Sequence, residues 1–259
     1  MSQQSVMSSL SLAGLGASAC LSFAAFAKTK QLKTSAPEKA SAATQAAPAH
    51  SETWEFRIKE ADSLFSIVSL KKGIASGLAH NHLIAATRYQ AQLSADPKNL
   101  EKGTFTFSTK VSDLEVDRAD LQKRWFPFVK SLAWLTEPFS ELKDSDRETI
   151  REHMLESNQL NAKKFPEISA KIVDIKASES QIGSKRFTHK ANVAVTIVGK
   201  TVARPFSANL VLNGKELSVE AAGSFSFSDF GITPYSALFG AIGNQDKFYL
   251  LVNMRAVKK

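Results

Sequence analysis

The chain has 259 residues, 43% hydrophobic and 22% charged, with a formal net charge of +8 and a single cysteine. That length supports one sizeable core, or at most two small ones, and a lone cysteine excludes an internal disulfide framework. The basic excess is spread along the chain with no dense Lys/Arg block, so no nucleic-acid partner is indicated.

Residues 7–27, MSSLSLAGLGASACLSFAAFA, are apolar or small and carry no charge, and Ala25-Phe26-Ala27 stands as a small-residue cleavage pattern before Lys28. An export signal is expected over 1–27. The run is heavy in Ala, Ser and Gly, whereas a membrane anchor is richer in Leu, Ile and Phe. No Lys or Arg precedes it, so its positive end is the terminal amine alone. Cys20 has two readings. It is removed with the signal, or it carries lipid after Ala17-Ser18-Ala19. The expected location is periplasmic or secreted, with a lipoprotein anchored through Cys20 as the alternative. Neither reading leaves a thiol for catalysis.

Residues 28–52, KTKQLKTSAPEKASAATQAAPAHSE, contain one large aliphatic residue, Leu32. Such a segment cannot bury enough apolar surface to offset its ordering entropy, and a flexible linker with a solvated His50 is expected. One domain then occupies 53–259, beginning near Trp54.

That domain reads mainly as strands. SLFSIVSLKK (63–72) mixes β-branched and aromatic residues. LIAATRYQAQLSA (83–95) alternates nearly as a strand does and ends at Asp96-Pro97. GTFTFSTKVSDLEV (103–116) alternates through Phe105, Phe107 and Val111. The middle differs. Leu121, Trp125, Phe128, Val129 and Leu132 fall at helical spacing, with Pro127 and Pro138 expected to break the pattern into short pieces. SDRETIREHML then opens with Ser145 and Glu148 at capping-box spacing and places Ile150 and Met154 four apart. The aromatic residues here are expected to be core, and His153 surface. Strand patterns resume in ISAKIVDIKASE, KRFTHKANVAVTIVG, VARPFSANLVLNG, ELSVEAAGSFSFSDFGI and DKFYLLVNMRAVK, and Asn213-Gly214 is a hairpin signal. Eight or nine strands with one apolar face predict a mainly β fold whose antiparallel sheet closes or packs on itself, with short helices inserted over 117–160. There is no βαβ alternation, phosphate loop, H-E-x-x-H motif or G-x-S-x-G elbow.

Three later stretches carry a family resemblance. LESNQLNAKKFPEISAKI (155–172) presents Leu155, Leu160, Asn161, Phe165, Pro166 and Ile168; NVAVTIVGKTVARPFSANLVLNG (192–214) presents Gly199, Lys200 and Phe206; SFSFSDFGITPYSALFGAIGNQDKFYLLVNMRA (224–256) presents Ser228-Asp229-Phe230-Gly231 and Asp246. In this order they resemble the YceI family of exported lipid-binding domains, over roughly 60–259. The opening strands depart from that family's His, Gly and Phe series, which is replaced here by GIASGLAHNHLIAATRYQAQL.

The resemblance implies a lipocalin-like antiparallel β-barrel holding an isoprenoid lipid or quinone in its lumen, with no catalytic group and no cofactor beyond that ligand. Transport, storage or stress protection in a bacterial envelope would be its role. A transient membrane contact and a homodimer are both compatible with it. Alternation makes Phe105, Phe107, Phe206, Phe225 and Phe227 candidates for the inner set, since Phe offers apolar area with no polar atom to satisfy. The competing reading is that the same residues fill a solid core.

His80 and His82 in GLAHNHLIAA (77–86) fall on one face if 75–95 is a single strand. At the barrel mouth they would meet a ligand head group or satisfy nearby backbone. The alternative function is metal binding or metal-dependent catalysis, with His189 from a later strand as the third ligand. An HNH nuclease requires a later helical His, which the strand-like continuation does not provide.

Overall fold

The alternating segments do become strands, each with one apolar face. The computed structural model describes residues 52–135 and 137–259; the expected signal, Cys20 and nearly all of the linker lie outside the described residues. In chain order the elements are β1 (Trp54–Ile58), β2 (Leu64–Lys72), β3 (His82–Ala86), β4 (Gln90–Asp96), β5 (Asn99–Lys110), β6 (Leu114–Val116), α1 (Ala119–Ser131), α2 (Asp144–Leu155), β7 (Glu167–Ile182), β8 (Lys185–Ile197), β9 (Lys200–Asn213), β10 (Glu216–Ser226), β11 (Ser236–Ala237) and β12 (Ile242–Lys258).

All pairings are antiparallel. The order β1-β4-β5-β7-β8-β9-β10-β12 returns to β1, where Phe56 lies opposite Lys258, so eight strands form a closed circuit. β2 continues the line of β1 along β12, β3 continues β4, and β6 continues β5. The first three barrel strands are therefore each broken once: at the 3-10 turn Glu60–Asp62, at Thr87–Tyr89, and at the 3-10 turn Val111–Asp113. The β8–β9 and β9–β10 hairpins turn at Gly199 (φ 75°) and Gly214 (φ 58°), left-handed positions that glycine fills without a Cβ penalty.

Three expectations need correction. Residues 83–95 are two strands, since the chain breaks between Ala86 and Gln90, and the condition that 75–95 form a single strand is not met either: a 3-10 turn covers Ser76–Leu78 and β3 starts only at His82. Pro127 does not interrupt its helix; α1 runs through it, with the proline on the exposed side. The ring removes the donor for the Lys123 carbonyl, and the opposite, buried face compensates. Ser145 does not cap α2, which begins at Asp144 after Lys143 without a side-chain cap; Asp144 and Asp146 complement the helix dipole instead.

α1 is held by its apolar stripe. Val129 and Leu132 pack with Val68, Leu83, Ala222 and Leu251, and Trp125 packs with Leu64 and Ala85. Each such aliphatic side chain contributes about 1.5–3 kcal/mol on burial. The helix thus plates the outer face of β2, β3, β10 and β12. The tip of the β7–β8 hairpin braces its end, with the Ser184 N–H donating to the Ser131 carbonyl at 2.9 Å.

Candidate functional site: the barrel lumen

Inside the barrel the strands' inward residues leave space unfilled. The cavity measures about 150 Å³ and is lined from β2, β4, β5, β7, β8, β9, β10 and β12 together. Its walls are mostly aliphatic: Ile168, Ile172, Val193, Leu210, Val219 and Val252 are typical. The polar side chains among its lining are Ser66, Ser94, Thr104 and Thr109. Ser94 and Thr104 hydrogen-bond each other at 2.7 Å, and Thr109 donates to the Arg88 carbonyl at 2.7 Å.

An aromatic group stiffens one wall. Phe65 lies 4.9 Å from Phe107 and 6.0 Å from Phe105, ring centre to ring centre. Tyr89, in the break between β3 and β4, packs edge-on to Phe65 at 4.9 Å and lies 5.4 Å from Phe107. Its hydroxyl is buried and has no hydrogen-bond partner among the described residues. Burial, with a smaller contribution from the charge of Glu60, pushes this phenol up to about 12, so at neutral pH it is a proton donor.

The wall has a seam. β5 pairs with β7 only from Thr106–Lys171 to Lys110–Glu167. Beyond that the two strands separate. The separation begins beside a bulge: Ile172 lies opposite Val193 and Asp174 opposite Asn192, so Val173 is an extra residue on β7. A bulge bends its strand and ends pairing. The cavity reaches the seam, where Leu100, Gly103 and Phe105 of β5 face Ile172 and Ile175 of β7. One side chain crosses it: Glu101 Oε1 accepts the Ala177 N–H at 3.1 Å, where a backbone ladder would otherwise run.

At one end the lumen has a floor. Phe206 meets Phe225 at 6.0 Å, and Phe225 meets Phe230 and Phe248 at 5.6 and 6.0 Å. The Phe206 ring lies across Gly223, where a Cβ would come within 2.4 Å of it. Below this, Asp229 accepts the Ser226 N–H and an Arg204 N–H, and Asp246 accepts the Ser228 hydroxyl and N–H. These bonds hold both carboxyls below the usual aspartate range, through Ser226 and then Arg204 for Asp229, and through the two Ser228 donors for Asp246.

A family model described as the YceI-like domain matches residues 45–254. The chain belongs to this family. Two solved structures resemble the YceI-like domain. Burkholderia cenocepacia BcnA is 14% identical, with 78% of this chain and 100% of that one covered at a TM-score of 0.52. A Campylobacter jejuni YCEI protein that crystallizes with large solvent channels is 14% identical, with 68% and 84% covered at 0.45. At such identity the BcnA match bears on the fold alone, and it agrees with the lipocalin-like barrel. No curated protein matches the chain.

The quoted family stretches of this YceI-like domain meet at its floor. Phe165 packs on Gly199, where a Cβ would lie 2.7 Å from the ring, and Lys200 reaches over Gly231. Asp229, Gly231 and Asp246 belong to the 3-10 turn Phe227–Phe230 and its partners, with Ser226 and Asp229 forming a reciprocal capping box. These residues build the end of the barrel.

The proposed inner phenylalanines divide. Phe105, Phe107 and Phe206 line the cavity. Phe225 lies beneath it in the floor, and Phe227 sits in the turn below, 4.7 Å from Phe248; neither lines the cavity. The histidines divide too. His80 precedes β3, and its Nδ1 is buried with no partner among the described residues. His82 Nδ1 lies 2.6 Å from Asp117 Oδ2, and that fully buried carboxylate also accepts the Leu83 N–H at 2.8 Å and Gln122 Nε2 at 2.9 Å. The backbone-satisfying role thus falls to Asp117, with His82 as its partner. His189, in β8, pairs with its neighbour Thr188 at 2.8 Å. Among the described residues no three His, Cys, Asp or Glu side chains gather as a metal-ligating group, so His80, His82 and His189 do not converge.

The sequence reading missed the aliphatic majority of the lining, although Ile168-x-Ala170-x-Ile172 and Val193-x-Val195 alternate plainly. It also missed Tyr89, Glu101 and Asp117, for which no local pattern exists.

Proposed function

We propose that this YceI-like domain is an exported, non-enzymatic binder of an isoprenoid lipid or quinone, held in the barrel lumen for transport, storage or stress protection. The observation that carries the reading is the apolar cavity, lined from all around the barrel and reaching the seam between β5 and β7. Membership in a family of hydrophobic-ligand binders supports it, and the apolar segment 7–27 supports export. Each buried CH₂ is worth about 0.8 kcal/mol, so a prenyl tail needs no polar partner. The head group does, and the donor we assign to it is the Tyr89 hydroxyl, which is unpartnered behind the cavity-lining Phe65 and Phe107 and reaches a ligand once those rings move aside.

A cavity of about 150 Å³ is the size that takes a benzene ring. A chain of several prenyl units therefore needs the lumen to widen, and the seam is where it widens at the least cost in backbone hydrogen bonds. The test is mass spectrometry of an organic extract from protein purified natively after export. A stoichiometric prenyl lipid or quinone is expected. A lipid-free extract, with no uptake of added ubiquinone or polyprenol, overturns the reading.

A further inference from the structure

Two loops meet beyond the barrel end near the start of β12. Gly73 to Asn81 links β2 to β3, and Tyr235 to Ala241 leads into β12. The Ala75 N–H donates to the Ala241 carbonyl at 2.9 Å, and Gly73, at φ 107°, packs so closely that a Cβ would lie 2.3 Å from the same oxygen. The loops form one protruding tip, and its side chains are the wrong kind for water. Ile74 is 99% exposed, Leu238 62% and Phe239 114%, with Tyr235 at 41% beside them.

The backbone sharpens the point. Leu238 and Phe239 are consecutive residues in the left-handed region, at φ 50° and 55°. Bulky side chains rarely occupy it, and such strain persists where it serves a site. Here the folded chain gains no compensating burial, because the strained side chains project outward. From Gly73 to Ala79 and from Tyr235 to Ala241 there is no charged residue, while Lys71 and Lys72 stand at the base. Lys72 is exposed and has no acidic partner among the described residues; Lys71 lies 3.6 Å from Glu137.

We propose that this tip docks on a lipid surface, with Ile74, Leu238 and Phe239 entering the acyl boundary, Tyr235 at the head-group level and Lys72 facing anionic head groups. A second copy of the chain fits poorly. A stable protein interface covers about 800 Å² per partner, more than three side chains on a convex tip supply, whereas interfacial insertion needs only a small apolar area with cations beside it. The inference does not depend on what the lumen holds.

The experiment uses the full chain and a readout at the tip itself, so that the apolar segment 7–27 cannot supply the signal. Phe239→Trp is mixed with phosphatidylglycerol–phosphatidylcholine vesicles, with and without brominated acyl chains. The emission added over the wild type should fall at least twofold on the brominated vesicles. In parallel, Phe239→Gly suits the left-handed backbone and removes the inserted ring, so its Tm should rise while the fraction floating with vesicles falls. Unquenched emission at position 239 overturns the proposal. So does a dimer that sediments in the wild type and dissociates in Phe239→Gly, which would make the tip a self-association surface.

Discussion

Ala208→Leu separates an open lumen from a solid core by the sign of its effect. Ala208 is buried on β9, lines the cavity, and lies opposite another small residue, Ala221. Leucine adds three carbons to unfilled space. At about 0.8 kcal/mol per buried carbon this is about 2.4 kcal/mol, less about 0.5–1 kcal/mol of side-chain entropy, leaving a stabilisation of about 1.5 kcal/mol. For a domain of this size Tm should rise by about 3–6 °C. The same three carbons are denied to a ligand, which should weaken its binding by about 50-fold. The assay is thermal unfolding of the lipid-free protein by circular dichroism, with fluorescence titration of a prenyl quinone. In a packed core the substitution would cost about 1–3 kcal/mol. A lowered Tm with unchanged quinone affinity would refute the reasoning.

Other substitutions test the remaining features. Glu101→Ala removes the side chain that bridges the seam; it should speed quinone uptake and release in stopped-flow measurements while changing Tm by less than about 2 °C, and unchanged rates would show that entry lies elsewhere. Asp117→Ala leaves His82, Gln122 and the Leu83 N–H without their acceptor, at a cost of about 1–3 kcal/mol for each stranded donor in urea unfolding. Asp117→Asn keeps a carbonyl for two of those donors and tolerates the φ of 49°, so it should lose less than half as much; equal losses would contradict this account. Asp229 and Asp246 have depressed folded values, so their contribution is full above the unfolded aspartate value of about 3.9 and is lost as pH falls through the lower folded value. Asp246→Asn should therefore lower the urea midpoint at neutral pH and converge with the wild type in acid; a gap independent of pH would count against the assignment.

Local patterns carried the strands well because a half-buried strand writes its burial into every second letter. The same is true of α1, whose stripe from Leu121 to Leu132 is periodic. The errors occur where a long-range contact overrules a local signal. Pro127 is a helix breaker by itself, but it sits on the solvent side of a helix whose other face is anchored to four strands. Phe225 and Phe227 continue an alternation that ends in a 3-10 turn, so they leave the lumen just where the letters suggest they enter it. His80 and His82 have strand spacing, yet the strand starts only at His82 and leaves His80 outside it. The seam was beyond reach: it begins beside the bulge at Val173, whose effect appears only when the neighbouring strands are in place.

The closure of the barrel has a consequence for how the chain folds. β1 pairs with β12 across nearly the whole domain, and β12 also binds β2 and β10. The strand that completes the circuit is therefore the last one in chain order. Contacts so distant in sequence require the entropy of the longest loop to be met before they contribute, which makes the final step slow. Until β12 arrives, β1, β2 and β10 present open edges, the surface on which chains aggregate. A long apolar molecule present at that stage could be enclosed as the barrel forms, without passing through any finished wall.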